Sequence, residues 1–270
     1  MSGQEIAAEV GSPSAIALAY REGVTVRGFD LCSELIGRVG FTEYFLLLLS
    51  GRPPSRQLIQ ALDATLVAIA EHGLVPSVQA ARMTYAAAPT ALQGAVAAGI
   101  LGCGEVILGA AEAAGEFLAR VEAAVRGGVD RDEAIKIQLA ELKRNHQSLP
   151  GFGHPLHKPE DPRAWRLIEY AREIGVASTY VAIVEATHAQ VPSVYSRALP
   201  LNVSGAIAAV LLDAGFPLEA LKGVPLVARV AGLIAHLMEE RRRPIGFKLA
   251  EVGAASVRYD GERPTATRAG

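Results

Sequence analysis

The sequence predicts an all-α fold in which helices pack against helices. Half of the 270 residues are hydrophobic but only 6% are aromatic, and Ala, Leu, Val and Ile dominate the apolar content, as is typical of packed helices. Apolar residues recur at helical spacing, for example at Leu58, Leu62, Leu66 and Ile69, and turns rich in Gly and Pro separate such runs. A chain of this length buries roughly three quarters of its unfolded surface, so a substantial core is available.

The first third of the chain is predicted to be a series of short helices. An apolar stretch at 12–20 precedes predicted helices over 32–40 and 42–49, with Thr42 as the cap of the second. The sequence Gly51-Arg52-Pro53-Pro54 ends that helix, and Ser55 caps the next one, which closes at Glu71-His72-Gly73. Pro76 then opens a further helix.

The run 93–104 consists mostly of small residues. Gly99, Gly102 and Gly104 could cradle a phosphate, but the strand–loop–helix context of such a loop is missing. Close helix packing, within the chain or across a dimer, is therefore the expected role. Further helices are predicted over 131–142, 166–174, 177–189, 205–214 and 224–241.

Composition excludes several classes of protein. The formal net charge is −2 with interleaved signs, which predicts no binding to nucleic acid or to anionic membranes. The start of the chain lacks a secretory pattern, and the most apolar runs fall short of the roughly 20 residues of a membrane span. We expect a cytoplasmic protein with reduced Cys32 and Cys103 in its core.

The densest motif is Pro-Gly-Phe-Gly-His-Pro-Leu-His-Lys at 150–158, followed by Asp161-Pro162-Arg163. Its glycines and prolines form a tight loop that presents His154. Histidine suits proton transfer in either direction near neutral pH because its unperturbed pKa is about 6.5. The alternative is a loop histidine that only satisfies backbone groups. His157 lies three residues further on, but Pro155 interrupts the spacing and no acidic cluster joins them, so no metal site is predicted.

Arginine suits carboxylate binding, because a planar guanidinium can hold both oxygens at once. Arg163 follows the histidine loop, Arg229 lies in the final long predicted helix and Arg243 precedes Pro244. The alternative for each is a solvated surface charge. Arg229 fits that alternative poorly, because it lies in an apolar run where an unpaired cation would be costly.

These residues resemble the active-site residues of the citrate synthase superfamily, in particular of its short, citryl-CoA lyase-like branch. The Gly-Phe-Gly-His loop at 151–154 and the Asp-Pro-Arg at 161–163 carry the resemblance. The helix end at Gly51 to Pro54 and the Glu71-His72-Gly73 turn follow the same order as in the family. The likeness therefore extends well beyond the histidine loop.

The resemblance implies a role for each of these residues. His154 is expected to act on the carbonyl or hydroxyl oxygen of an oxaloacetate-like or citrate-like group, donating a proton in condensation or accepting one in cleavage. Arg243 is expected to reach the partner's site in a homodimer. The residues expected to hold substrate carboxylates are His72, Arg163, Arg229 and Arg243; those expected to help seat the coenzyme A thioester are Gly151, Phe152, Gly153 and Lys158.

Two parts of the family pattern are replaced. Ser204, in Asn202-Val203-Ser204-Gly205, stands where the short relatives have the aspartate that moves the acyl α-proton. No histidine lies within 78–114, where the family places the one that polarises the thioester. A hydroxyl is too weak a base to replace a carboxylate. Ser204 could instead hydrogen-bond the acyl group or act as a nucleophile activated by His154, Glu105 could serve as a base or lie on a helix surface, and His236 is expected in the core or at a helix end.

The predicted architecture is citrate synthase-like. A large helical domain is expected over 1–115 and 218–270, and a smaller inserted domain over 116–217 carries His154 and Ser204, with the site in the cleft between them. The expected function is that of an acyl-CoA carbon-carbon lyase or ligase related to citryl-CoA lyase. The alternatives are a catalytically silent paralogue that binds coenzyme A or carboxylates, and a CoA-thioester hydrolase.

Overall fold

Helices form most of the protein, as predicted, in a computed structural model that describes residues 13–104, 109–154 and 156–262. Their positions follow the sequence prediction to within a few residues for most elements. The helices are α1 (Phe41–Ser50), α2 (Arg56–Ala70), α3 (Pro76–Ala87), α4 (Leu92–Leu101), α5 (Ala110–Arg126), α6 (Arg131–Arg144), α7 (Pro162–Glu173), α8 (Thr179–Tyr195), α9 (Val203–Asp213), α10 (Gly223–Glu240) and α11 (Gly246–Ala255). Helix α11 lies in a segment for which no helix was predicted.

A small antiparallel sheet, also not predicted, precedes the helices. Its strands are β1 (Ala17–Tyr20), β2 (Gly23–Val26) and β3 (Phe29–Asp30), in that order. Strands β2 and β3 are joined by Arg27 and Gly28, whose φ angles are 49° and 89°. A two-residue hairpin turn of this kind requires positive φ at both positions, which explains the glycine.

Two N-terminal predictions are wrong. The helix expected over 32–40 is only a turn, Leu31–Leu35, which Asp30 caps by accepting from Ser33 N at 2.7 Å. Thr42 is not the cap of α1, since Gly40 holds that position and the Thr42 hydroxyl donates to Asp63 instead. The predicted cap at Ser55 is confirmed, because its Oγ accepts from Leu58 N at 3.1 Å.

The chain divides into two compact units, one made of 1–68 with 110–222 and the other of 69–109 with 223–270. In the first unit, α9 is buried along nearly its whole length and packs on α5, α7 and α8. In the second unit, α3 packs on α4, α10 and α11. This division describes how closely residues pack within each unit and does not test the predicted domain boundaries. The domains 1–115 with 218–270 and 116–217 stay a prediction.

The small residues of α4 allow close packing within the chain. A Cβ on Gly99 would lie 2.7 Å from Leu233 Cδ1 of α10. Gly99 is thus a packing position inside a helix and not part of a phosphate loop. Glu105, the candidate base, lies outside the described residues. Cys103 is buried as expected, but Cys32 is exposed.

Among the described residues, one helical span, 218–240, has the length and composition to cross a membrane. Helix α10 provides most of it and packs on α3 and α4, as the core helix of a globular unit does. Composition alone therefore does not assign this span to a membrane.

Candidate active site

The histidine loop is anchored to the segment that leads into α9. Gly153 N donates to Pro200 O at 2.7 Å, and Asn202 N donates to Gly151 O at 3.0 Å. The Asn202 side chain also donates to Gly153 O at 2.8 Å, while its Oδ1 caps α9 by accepting from Ser204 N at 3.0 Å. One asparagine therefore fixes the loop that carries His154 and the helix start that carries Ser204.

The loop and the helix approach so closely that only glycines fit. Gly151 has a φ of +79°, and a Cβ there would lie 2.7 Å from Gly205 Cα. A Cβ on Gly205 would lie 2.7 Å from Gly151 O. The two glycines bring backbone against backbone, so the Asn-Val-Ser-Gly segment adjoins the histidine loop.

Backbone hydrogen bonds fix the ring of His154. Its Nδ1 accepts from Leu156 N at 3.1 Å and from His157 N at 2.9 Å. A nitrogen that accepts two amide protons carries none itself, so in the neutral ring the proton is assigned to Nε2. His154 therefore offers an N–H donor at Nε2.

Arg163 lies next to this donor. Its NH2 group is 3.5 Å from His154 Nε2, and two N–H donors cannot hydrogen-bond each other. Both can instead donate to the same oxygen atom. The pair therefore forms a candidate site for an oxygen on which negative charge develops.

Asp161 holds Arg163 in place. Its fully buried carboxylate accepts from Arg163 Nε at 3.0 Å and from NH2 at 2.9 Å. The same carboxylate accepts from Val203 N at 3.0 Å and from Arg163 N at 3.1 Å. Burial by itself raises the pKa of Asp161, but the hydrogen bonds and charge of Arg163, with the two backbone amides, outweigh it and leave that pKa below its usual value. Asp161 is thus an ionised anchor that leaves only part of the Arg163 fork available to a substrate.

Ser204 lies half-buried in the first turn of α9. The proposed Ser-His nucleophile needs an imidazole that accepts a proton while a carboxylate orients its other nitrogen. In the assigned tautomer, Nε2 of His154 carries a proton and Nδ1 accepts backbone amides, so neither nitrogen fits that scheme. The geometry favours the other role considered for Ser204, that of a hydrogen-bonding group.

The predicted coenzyme A residues mainly shape the loop. The N–H and C=O of Gly153 and the C=O of Gly151 are engaged with 200–202. The Phe152 ring stacks on His188 at 6.3 Å between centroids, and Trp165 meets His188 edge-on at 5.4 Å. Contact of Gly151, Phe152, Gly153 and the exposed Lys158 with coenzyme A stays a prediction.

The second unit holds His72 on the turn after α2. Glu71 Oε1 accepts from His72 N at 2.9 Å and from Gly73 N at 2.6 Å, and its Oε2 pairs with His236 Nε2 at 2.9 Å. Burial raises the pKa of Glu71, but hydrogen bonding to His236 and to these amides lowers it further than burial raises it. His236 is a mostly buried helix residue, as predicted, and braces the turn that carries His72.

The two other arginines differ in their surroundings. Arg229 of α10 is only 9% exposed, and its NH1 has no hydrogen-bond partner among the described residues. A buried cation in this state is costly unless an anion completes it. Arg243 is 83% exposed in its side chain, with Glu239 at 3.9 Å. The buried NH1 group of Arg229 thus has hydrogen-bonding capacity that the described residues do not use, whereas the Arg243 side chain extends into solvent. Binding of a carboxylate by either residue stays a prediction.

Sequence reasoning gave no role to five residues whose side chains hold these segments in place. They are Glu71, Arg82, Asp161, Asn202 and Glu240. Two of them carried a signal. Glu71 immediately precedes a turn histidine, and Asp161 immediately precedes the Pro-Arg that begins α7. Acidic residues at such positions commonly bind backbone amides.

The helical fold and the histidine loop define a protein of the citrate synthase type, in which the loop presents a histidine beside an arginine. The chain belongs to the citrate synthase family: residues 6–247 match the model of the citrate synthase C-terminal domain. A putative citrate synthase 2 of Mycobacterium tuberculosis is 32% identical over 236 residues, covering 83% of this chain and 57% of the relative. The citrate synthase 2 of Bacillus subtilis is 27% identical over 205 residues, covering 74% and 52%.

Among solved structures, the chain is similar to citryl-CoA lyase from Hydrogenobacter thermophilus, with a TM-score of 0.82 and 29% identity, covering 95% of this chain and 97% of that one. It shares its fold with ATP citrate lyase from Methanothrix soehngenii, at a TM-score of 0.77 and 22% identity, covering 98% of this chain and 44% of that one. The chain thus spans only 57% and 52% of the two curated citrate synthases but nearly the whole citryl-CoA lyase.

Proposed function

We propose that this protein is an acyl-CoA carbon-carbon lyase or ligase related to citryl-CoA lyase, which interconverts a citryl-CoA-like thioester with an acyl-CoA and a 2-oxo acid. The observation that carries the proposal is the pair of donors formed by His154 Nε2 and Arg163 NH2, 3.5 Å apart. The likeness to citryl-CoA lyase over 97% of that chain supports it.

Both directions of this reaction place negative charge on one oxygen. In condensation, the α-carbon of the acyl-CoA enolate bonds to the carbonyl carbon, and the carbonyl π electrons move to its oxygen, which then takes a proton. In cleavage, the hydroxyl proton passes to solvent, the carbon-carbon electron pair passes to the thioester side as an enolate, and the α-carbon takes a proton from solvent. Donors fixed before the reaction stabilise such an oxygen without reorganising.

The tautomer of His154 favours the donor role over the acceptor role. Accepting the hydroxyl proton at Nε2 requires the other tautomer, in which Nδ1 gives up its hydrogen bonds from Leu156 N and His157 N. His154 therefore acts by hydrogen bonding to the reacting oxygen. The carboxylates of the substrate are held by the free part of Arg163 and by Arg229, Arg243 and His72.

Removal of the α-proton is the step that this site is least equipped to catalyse. Ser204 replaces the family's aspartate, and Asp161 cannot substitute because it is fully buried and bound to Arg163. General acid-base catalysis typically contributes about 10² to 10⁴ to a rate. We therefore expect slow turnover unless the substrate brings an already acidic α-carbon.

The test is incubation of purified protein with citryl-CoA and a panel of small acyl-CoA thioesters, with and without oxaloacetate, followed by mass spectrometry. We expect carbon-carbon cleavage or condensation that His154→Ala abolishes. His146→Asn is the matched control, because His146 is exposed with φ 53° and asparagine tolerates that conformation. Parallel assays with a chelator test the prediction that no metal is needed.

Two other outcomes would replace this proposal. Measurable binding of coenzyme A or citrate without turnover indicates a silent paralogue, which the replacement of the aspartate by Ser204 favours. Release of free coenzyme A without a carbonyl product indicates a thioester hydrolase.

A further inference from the structure

Arg82 is a charged residue in the core of the second unit. It lies on α3 and is 3% exposed, beside the apolar cluster that contains Val78, Ala81 and Tyr85. Burying a guanidinium is costly unless hydrogen bonds and a counter-charge compensate for lost water. Its partners therefore show what the buried charge is used for.

All four described contacts of the Arg82 guanidinium lie on one short segment. Its Nε donates to Glu240 Oε2 at 2.6 Å, and its NH1 donates to Glu239 Oε2 at 3.2 Å and lies 3.5 Å from His236 Nδ1. Its NH2 donates to the backbone carbonyl of Arg243 at 3.1 Å. The guanidinium thus spans the end of α10 and the turn that follows.

Glu240 fixes the far side of the same turn. While its Oε2 accepts a hydrogen bond from Arg82 Nε, its Oε1 accepts from Ile245 N at 2.9 Å and from Gly246 N at 2.7 Å. Gly246 also has no room for a side chain, since a Cβ would lie 2.6 Å from Arg82 O. The backbone of 243–246 is therefore held at both ends by one buried ion pair.

We propose that the buried Arg82–Glu240 pair positions Arg243 for carboxylate binding, by fixing the backbone from which its exposed side chain extends. The inference rests on the proposed function, which gives Arg243 a substrate carboxylate. Arg82 and Glu240 are positioning residues in this proposal, because they act through Arg243 and not on the substrate. Among the residues that the structure describes, the Arg243 side chain is held by one long ion pair with Glu239 at 3.9 Å, so its backbone anchor decides where it extends.

A double-mutant cycle separates positioning from a purely structural role. Arg82→Lys keeps the charge but cannot make all of these contacts, and we expect it to raise the KM for oxaloacetate about tenfold or more with a smaller change in kcat. In the background of Arg243→Ala, the same substitution should have almost no further effect on KM. Equal fold-changes in both backgrounds would overturn the proposal.

Glu240→Gln provides a second route if the lysine variant folds poorly. It keeps an acceptor for the amides of Ile245 and Gly246 but removes the charge that faces Arg82, and it should show the same loss of effect in the Arg243→Ala background. Arg126→Lys is the control, because Arg126 makes an exposed ion pair with Glu122.

Hydrogen exchange gives a readout that needs no turnover. We expect both core variants to exchange faster at the amides of Arg243, Ile245 and Gly246 than the wild type, and the control not to; unchanged exchange would overturn the anchoring. If the wild type is inactive, dissociation constants for citrate replace KM in the cycle. A wild type that neither turns over nor binds citrate overturns the proposed function, and the role of Arg243 falls with it even where exchange responds.

Discussion

At the scale of single residues, Asp161 does the most to assemble the candidate site. Its carboxylate joins the side chain of Arg163, the start of α7 and the first residue of α9. It is also fully buried, so among the described residues these donors compensate its charge. Removing the charge of Asp161 should weaken the hydrogen bonds of Arg163 and shift its side chain.

We expect Asp161→Asn to lower the free energy of unfolding at pH 7 by about 1.5 to 3 kcal/mol, the range for hydrogen bonds to a charged group. The measurement is urea unfolding. Asp132→Asn, at an exposed position that pairs with Arg131 at 3.6 Å, should change stability far less. Equal losses in both variants would contradict the anchoring role.

The stability of the wild type and that of Asp161→Asn should depend differently on pH. The pKa of Asp161 is lower in the folded than in the unfolded chain, whose value is close to 3.8. The folded state therefore binds fewer protons, and the stabilisation is present above that value and lost as the pH falls through the folded pKa. The stability difference between wild type and Asp161→Asn should shrink below about pH 4; a constant difference down to pH 2 would argue against an ionised anchor.

At the scale of elements, the contact of the histidine loop with α9 depends on two facing glycines. Gly151 needs both its positive φ and the space for Gly205, whereas Gly153 has a φ of +84° with nothing within 4 Å of a Cβ. Alanine substitutions at the two loop glycines therefore distinguish the cost of backbone strain from the cost of steric overlap.

We expect Gly151→Ala to destabilise the protein by about 1 to 3 kcal/mol more than Gly153→Ala, because only the former adds overpacking to the strain. Unfolding can be followed by fluorescence of Trp165, the single tryptophan, which contacts His188 behind the loop. Similar losses of unfolding free energy in both variants would show that overlap with Gly205 adds no destabilisation.

At the scale of the whole molecule, the predicted homodimer has a direct test. If Arg243 of one subunit completes the site of the other, His154→Ala is inactive and Arg243→Ala is severely impaired when each is alone, but a mixed dimer contains one intact site. Refolding an equal mixture should restore about a quarter of wild-type activity, from statistical pairing in a twofold dimer. No recovery, with mixed dimers demonstrated by mass, would place Arg243 in its own subunit's site.

Much of the fold was predictable because its signals are local. Helical periodicity and the Gly and Pro turns placed α2, α3, α6, α9 and α10 to within a few residues. The errors arose where local signals were ambiguous. Thr42 satisfies capping preference but binds Asp63 across 21 positions, and the hairpin at Arg27 and Gly28 needs a residue other than glycine in positive φ.

The sequence by itself determined the helical class and the histidine loop, because apolar spacing and a dense run of glycine, proline and histidine are properties of neighbouring residues. The three candidate arginines follow from the family resemblance. Only the tertiary structure decided which groups hold that chemistry in place. Arg82 and Glu240 are 158 positions apart, and Asn202 reaches Gly153 across 49. A charge or an amide finds such a partner only when folding removes water from both, so no local pattern predicts it.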